Sequence, residues 1–211
     1  MNKNNTLSKL KSKERKLRQQ IIIDAAREVF GRKTYDKASM AEIAKAAGIA
    51  KSSIYTYFKS QEELYARIVC ADSREFIDDL QSRIEKVERK ESGVNCVNTC
   101  ITGFLTYYIA HTAQWRMITH FALHGNQNMG AIDQLNEIGR RLMDLFESVF
   151  RKLGKDKDAR ILAHTLFSCL SGILIAFRNY PGRTEAERIA HMNRIGAMVE
   201  AMILSLVGQE K

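Results

Sequence analysis

Between Lys51 and Lys59 the chain sets Lys51, Ser52, Ser53, Tyr55, Thr56, Tyr57 and Lys59 around the apolar Ile54 and Phe58. Every one of those polar residues carries a hydrogen-bond donor. No carboxylate or histidine stands among them, so they make neither an acid–base pair nor a nucleophile with its base. They can hold an anion: ammonium and hydroxyl groups donate to phosphate oxygens, and small serines let a close surface approach. Ile54 and Phe58, four apart, share one face of a helix and can anchor it while the donors look outward.

Such a helix needs a neighbour that fixes its angle. Ser39 and Glu42 form an S-x-x-E capping box, which satisfies free amides at a helix start. The helix it opens, Met40 to Ala47, carries Met40, Ile43 and Ala44 on one face, and Ala44 and Ala47 are small enough for close approach. Gly48 follows, where a left-handed residue ends a helix. A short helix, a glycine turn and a second short helix form a helix-turn-helix, whose second element fits a major groove about 12 Å wide. The competing reading is a small surface helix with half-buried tyrosines; it leaves the cap, the turn and the local charge unexplained.

The 211 residues include 1 proline and show no sustained alternating apolar pattern, so the expected class is all-α. Helix 1 reads from Glu14 to Gly31, with Ile22, Ala25, Ala26, Val29 and Phe30 on one stripe. Helix 4 starts at Ser60, capped with Glu63, and runs to about Arg89, with a possible break at Asp72-Ser73. Later helices read as Gly93 to His111, Gln114 to His124, Met129 to Leu153, Asp156 to Tyr180 and Thr184 to Gly208. The expected division is a basic arm over 1–18, a DNA-binding domain over 19–65 and a second domain over 66–211.

Charge supports a polyanion partner at one end. Up to Leu64 there are 14 Lys and Arg against 7 Asp and Glu, whereas the remainder holds 19 against 17. The arm contributes Lys3, Lys9, Lys11, Lys13, Arg15, Lys16 and Arg18 against the single acid Glu14. It can track a minor groove or serve as a solubilising tail. No uninterrupted apolar run, such as Gly172 to Phe177, reaches the roughly 20 residues of a membrane span, so no membrane partner is expected. Cys70, Cys96, Cys100 and Cys169 follow no disulfide or zinc-finger spacing, which suits a reducing cytoplasm.

Cys96 and Cys100, with His120 and His124, form two i, i+4 pairs able in principle to hold zinc. Buried thiols and a helix-end histidine explain them as well, and no metal or cofactor is expected. Phe104, Tyr107, Tyr108, His111, Trp115, Ile118 and Phe121 concentrate aromatic and apolar surface. That suits a small hydrophobic or amphipathic ligand, against a plain-core alternative. Nucleophile elbow, phosphate loop and HExxH are all missing, so no enzyme is expected.

From Ile21 to Val69 the chain resembles the DNA-binding domain of the TetR family of bacterial regulators. The match is carried by Ala25-Ala26, Phe30, Ser39, Ile43-Ala44, Ala47-Gly48, Ile54-Tyr55, Tyr57-Phe58 and Glu63-Leu64. The resemblance implies three N-terminal helices for DNA, then six helices for ligand binding and dimerisation. It implies phosphate contact at Ser39 and Tyr57, and base or backbone contact at Lys51, Ser52, Tyr55 and Thr56. It implies a ligand-responsive regulator, commonly a repressor on a palindromic operator, dimeric through helices 8 and 9. In those helices Ser168, Ser171, Gly172, Ala176, Gly196, Ala197 and Ala201 are small. The rival is a DNA-binding dimer governed by a protein partner with no small effector. Two positions depart from the pattern. Ala50 replaces the usual capping Ser of the recognition helix, and Gln61 replaces a phosphate-binding Lys for which Lys59 or the arm can compensate.

Overall fold

The structure, a computed structural model, describes residues 3–90, 93–124 and 132–208. Among them are nine α-helices, one short 3₁₀ turn and no strand, as an all-α sequence requires. The chain forms two compact units: 1–71 with 113–135, and 72–112 with 136–211.

The first unit contains α1 (Lys3–Arg32), a 3₁₀ turn (Tyr35–Lys37), α2 (Met40–Ala46) and α3 (Lys51–Ile54). It also holds the start of α4 (Gln61–Glu88) and most of α6 (Thr112–His124). Helix α1 begins at Lys3, not Glu14, so the expected arm is helical. The reason is local. No Gly or Pro interrupts Lys3 to Phe30, which leaves helix propensity unopposed. Glu14 also pairs with Arg18 one turn on at 2.8 Å, a spacing that supports a helix. The core joins Ile22, Ala26 and Phe30 of α1 to Ile43 and Ala44 of α2, to Ile54 and Phe58, and to Leu64, Tyr65 and Ile68 of α4. Met117 of α6 completes it. Arg116 fastens the same helix by donating to the Phe30 carbonyl at 3.1 Å and to the Gly31 carbonyl at 2.7 Å. Both are free acceptors at the end of α1.

The second unit holds the rest of α4, α5 (Val94–Ala110), most of α7 (Ile132–Lys152), α8 (Ala159–Phe177) and α9 (Glu185–Gly208). Helix α4 is unbroken at Asp72-Ser73. The expected start of helix 7 at Met129 lies outside the described residues. Helix α5 packs on both α8 and α9, and α8 packs on α9. Glycine permits part of this. A Cβ on Gly196 of α9 would stand 2.7 Å from Leu105 Cδ1 and 3.3 Å from Ile101 Cγ2; one on Gly103 of α5 would stand 2.6 Å from Leu80 Cδ1. Gly196 is therefore buried inside the chain against α5 and is not free for an association seam. Ser168, Gly172, Ala176, Ala197 and Ala201 are exposed, beside exposed Ile161, Ile175, Met198, Met202 and Leu206. Ser171 is half-buried.

Counting uninterrupted apolar runs underestimated α8. Its 19 residues, with a mean hydropathy of 1.7, are long and apolar enough to cross a membrane by length and composition. Here its inner face is core: Ala163, Leu166, Leu170, Ile173 and Leu174 are buried.

Candidate nucleic-acid interface

The turn between α2 and α3 is built as its residues dictate. The Ser39 hydroxyl accepts from the Glu42 amide at 3.3 Å, the bond expected of a helix cap. At the other end Gly48 has φ +68°. Its amide donates to the Lys45 carbonyl at 3.2 Å, and the Ile49 amide donates to the Ala44 carbonyl at 3.0 Å. These two bonds are the Schellman closure of a helix. Helix α3 then starts at Ala50, whose side chain gives no cap. Ile54 and Phe58 are buried, while Lys51, Ser52, Ser53, Tyr55, Thr56 and Lys59 are exposed. Tyr57 is half-buried and packs on the core edge. Donors on one side and an anchor on the other is the arrangement a groove-reading helix needs.

Gln61 has a definite role. Its amide nitrogen donates to the Tyr35 carbonyl at 2.9 Å, tying the start of α4 to the 3₁₀ turn. Glu63 accepts from the Lys59 amide at 2.8 Å, and its own amide donates to Ser60 at 3.1 Å.

Sequence reasoning missed the wall that α1 builds beside α3. A groove of about 660 Å³ lies between them, with Leu17, Arg18 and Ile21 on one side and Ala50, Ser53, Thr56 and Tyr57 on the other. Arg15 reaches across to the Thr56 carbonyl at 3.3 Å. The signal was present in the unbroken helical stretch from Lys3, whose face at Leu17 and Ile21 continues that of Ile22.

The aromatic set divides between the units. Trp115 is buried and Ile118 half-buried in the first unit; the side chain of Phe121 lies outside the described residues. Phe104 and Tyr108 are buried in the second, where Phe76 meets Tyr107 and Tyr108 at ring-centroid distances of 4.5 and 5.0 Å. Protein groups serve the polar atoms here. The Tyr107 hydroxyl donates to the Asp72 carbonyl at 3.4 Å, and the His111 ring stacks on Tyr107 at 4.2 Å. Arg178 donates to the Tyr108 carbonyl and the Thr112 hydroxyl. Burial pushes the Tyr108 phenol far above its ordinary range, so it stays neutral.

The described members of the cysteine–histidine set divide between the units. Cys96 and Cys100 are buried in the second unit, where burial pushes the Cys100 thiol far up. His120 belongs to the first, with its ring 4.9 Å from that of Tyr35. The side chain of His124 lies outside the described residues. Among the described residues no group of three or more His, Cys, Asp or Glu is placed to hold a metal.

Residues 22–68 match the model of the bacterial regulatory proteins of the tetR family. The first unit carries a TetR-family DNA-binding domain. The chain is 38% identical over 71 residues to the fatty acid metabolism regulator protein of Bacillus subtilis, covering 33% of this chain and 37% of that one. It is 39% identical over 49 residues to the transcriptional regulator AcrR of Shigella flexneri, covering 23% of each chain. The matches thus span little more than a third of these curated relatives' length at most. Across most of the chain the likeness is of fold. The fatty acid degradation regulator FadR of Bacillus halodurans superposes with a TM-score of 0.69 at 20% identity, covering 87% of this chain and 94% of that one. The FadR of Bacillus subtilis, solved in complex with stearoyl-CoA, gives 0.69 at 19% identity, covering 86% and 97%. A TetR-type reading head followed by a helical second unit is the fold of this chain.

Proposed function

We propose that this chain is a homodimeric DNA-binding transcriptional regulator, a repressor that a small amphipathic effector releases from a palindromic operator. The observation that carries the reading is α3 with the turn after it, which together expose Lys51, Ser52, Ser53, Tyr55 and Thr56 over buried Ile54 and Phe58. Lys51 and Ser52 face bases in this reading, while Ser39, Tyr55, Tyr57 and Lys59 address the phosphate backbone. Ser53 and Thr56 line the near edge of the groove. Palindromic reading needs two recognition helices about 34 Å apart, hence two copies. The outer faces of α8 and α9, with Ile175, Met198 and Met202 exposed, are the surface we assign to their pairing.

A long-chain acyl thioester is the effector to try first. The support is the shared fold with a FadR solved with stearoyl-CoA, together with the ring cluster of Phe104, Tyr107 and Tyr108 in the second unit. His111, stacked at the edge of that cluster, is the proposed polar neighbour of the ligand.

The test begins with duplexes selected from a random pool by the intact protein. Binding should weaken steeply with salt, because each neutralised phosphate releases counterions. Tyr55→Phe should weaken specific and random duplexes alike, since its hydroxyl is assigned to phosphate. Stearoyl-CoA should release the selected duplex. A flat salt response removes the DNA-binding reading, and a duplex still bound at saturating stearoyl-CoA removes that effector.

A further inference from the structure

We infer that Arg15 is a positioning residue for the recognition helix, acting from α1 through Thr56 and Tyr57; this rests on the reading of α3 as the element that reads DNA. Helix α3 has only four residues, Lys51–Ile54. A helix that short closes few internal bonds and cannot hold its own shape in water. Its start is uncapped at Ala50. What it lacks locally, α1 supplies from a distance. The Arg15 Nη2 donates to the Thr56 carbonyl at 3.3 Å, and the guanidinium carbon lies 5.7 Å from the Tyr57 ring centroid. One turn along α1, Arg18 pairs with Glu14 at 2.8 Å and lines the same groove as Tyr57. The segment that follows α3 is therefore gripped at a carbonyl and at a ring face.

The geometry suits arginine in particular. A planar guanidinium can donate sideways to a carbonyl while lying over a ring, whereas an ammonium has no planar face to stack there. Tyr57 and Phe58 donate their amides back to Ile54 at 3.0 Å each, so loosening Thr56 loosens the turn on which α3 ends. A rigid recognition helix matters more for choosing a sequence than for attraction to phosphate, because base contacts need exact register and backbone charge does not. Arg15 thus governs selectivity while other lysines of α1 supply sequence-independent attraction.

The test compares Arg15→Ala, Arg15→Lys and, as a matched loss of one charge, Lys16→Ala, all in the full chain. Affinity is measured for a selected duplex and an unrelated one of equal length, across salt. Arg15→Ala should lower the ratio of specific to non-specific binding about fivefold, with the salt slope unchanged. Arg15→Lys should not restore the ratio, and Lys16→Ala should leave the ratio at its original value. In the DNA-free protein, Arg15→Ala should shift the Tyr57 ring resonances and speed amide exchange at Tyr57 and Phe58, leaving α9 unaltered. The proposal is overturned if Arg15→Ala weakens both duplexes equally with a shallower salt slope, which marks a phosphate contact. Full rescue by Arg15→Lys overturns it too, as does an unmoved Tyr57 signature with selectivity intact. If the unaltered protein selects no duplex, the DNA reading itself fails, a result separate from anything Arg15 does.

Discussion

The two compact units bury the same kinds of side chain, but α3 in the first and the outer faces of α8 and α9 in the second carry opposite kinds on their exposed sides. In the first, Phe58, Ile54 and Ile43 are shut in, and the element above them shows serine, threonine, lysine and tyrosine to solvent. In the second, Phe104, Leu166 and Leu170 are shut in, yet α8 and α9 still show Ile161, Ile175, Met198, Met202 and Leu206. A polar outer face over a tight core suits an aqueous, charged partner that comes and goes. An apolar one is costly to leave wet and suits a permanent protein neighbour.

The contrast can be broken most forcefully at the anchor. Phe58 is 1% exposed. Phe58→Ala should cost about 3–5 kcal/mol, melting the reading head and abolishing duplex binding. Thermal denaturation followed by circular dichroism measures the loss; a change under about 1 kcal/mol would show that Phe58 anchors nothing. A smaller effect is expected at the apolar face. Met198→Lys with Met202→Lys should raise the dimer dissociation constant by roughly 100-fold or more while helix content is kept. Sedimentation checks it, and an unchanged dimer would place the association surface elsewhere. The smallest effect compares the two helix starts. Ser39→Ala should destabilise by about 1 kcal/mol, and Ala50→Ser should stabilise by a similar amount. The gain is expected because Ala50 already has the extended backbone of a cap, with φ -67 and ψ 144 degrees. Denaturant titration reads both, and no gain from Ala50→Ser would mean that α3 is held entirely from outside.

What could be read from the sequence was mostly what forms within four residues. The Ser39–Glu42 and Ser60–Glu63 caps, the Gly48 turn and the missing cap at Ala50 are all as expected. Contacts across long stretches of chain were not legible. Arg15 meets Thr56 across 41 positions, and Arg116 meets Gly31 across 85. Nothing local in either pair announces its partner. For the same reason Trp115 and Ile118 were grouped with Tyr107 by proximity in sequence, although the chain divides between them. Gly196 looked like Ala197 and Ala201 among the small residues of α9. Only the packing of α5 on α9 reveals that one of the three faces inward.

Gly48 makes a demand of an unusual kind. A Cβ there would meet nothing within 4 Å, so the position does not ask for smallness. It asks for a φ of +68°, which the hand of an ordinary residue disfavours. The requirement is one of mirror symmetry: for a single residue the chain must turn as its enantiomer would, and glycine is the one genetically encoded residue with no hand to oppose it. A D-alanine would fit the space and the angle together, where L-alanine fits only the space. The turn between α2 and α3 is thus specified by chirality and not by volume.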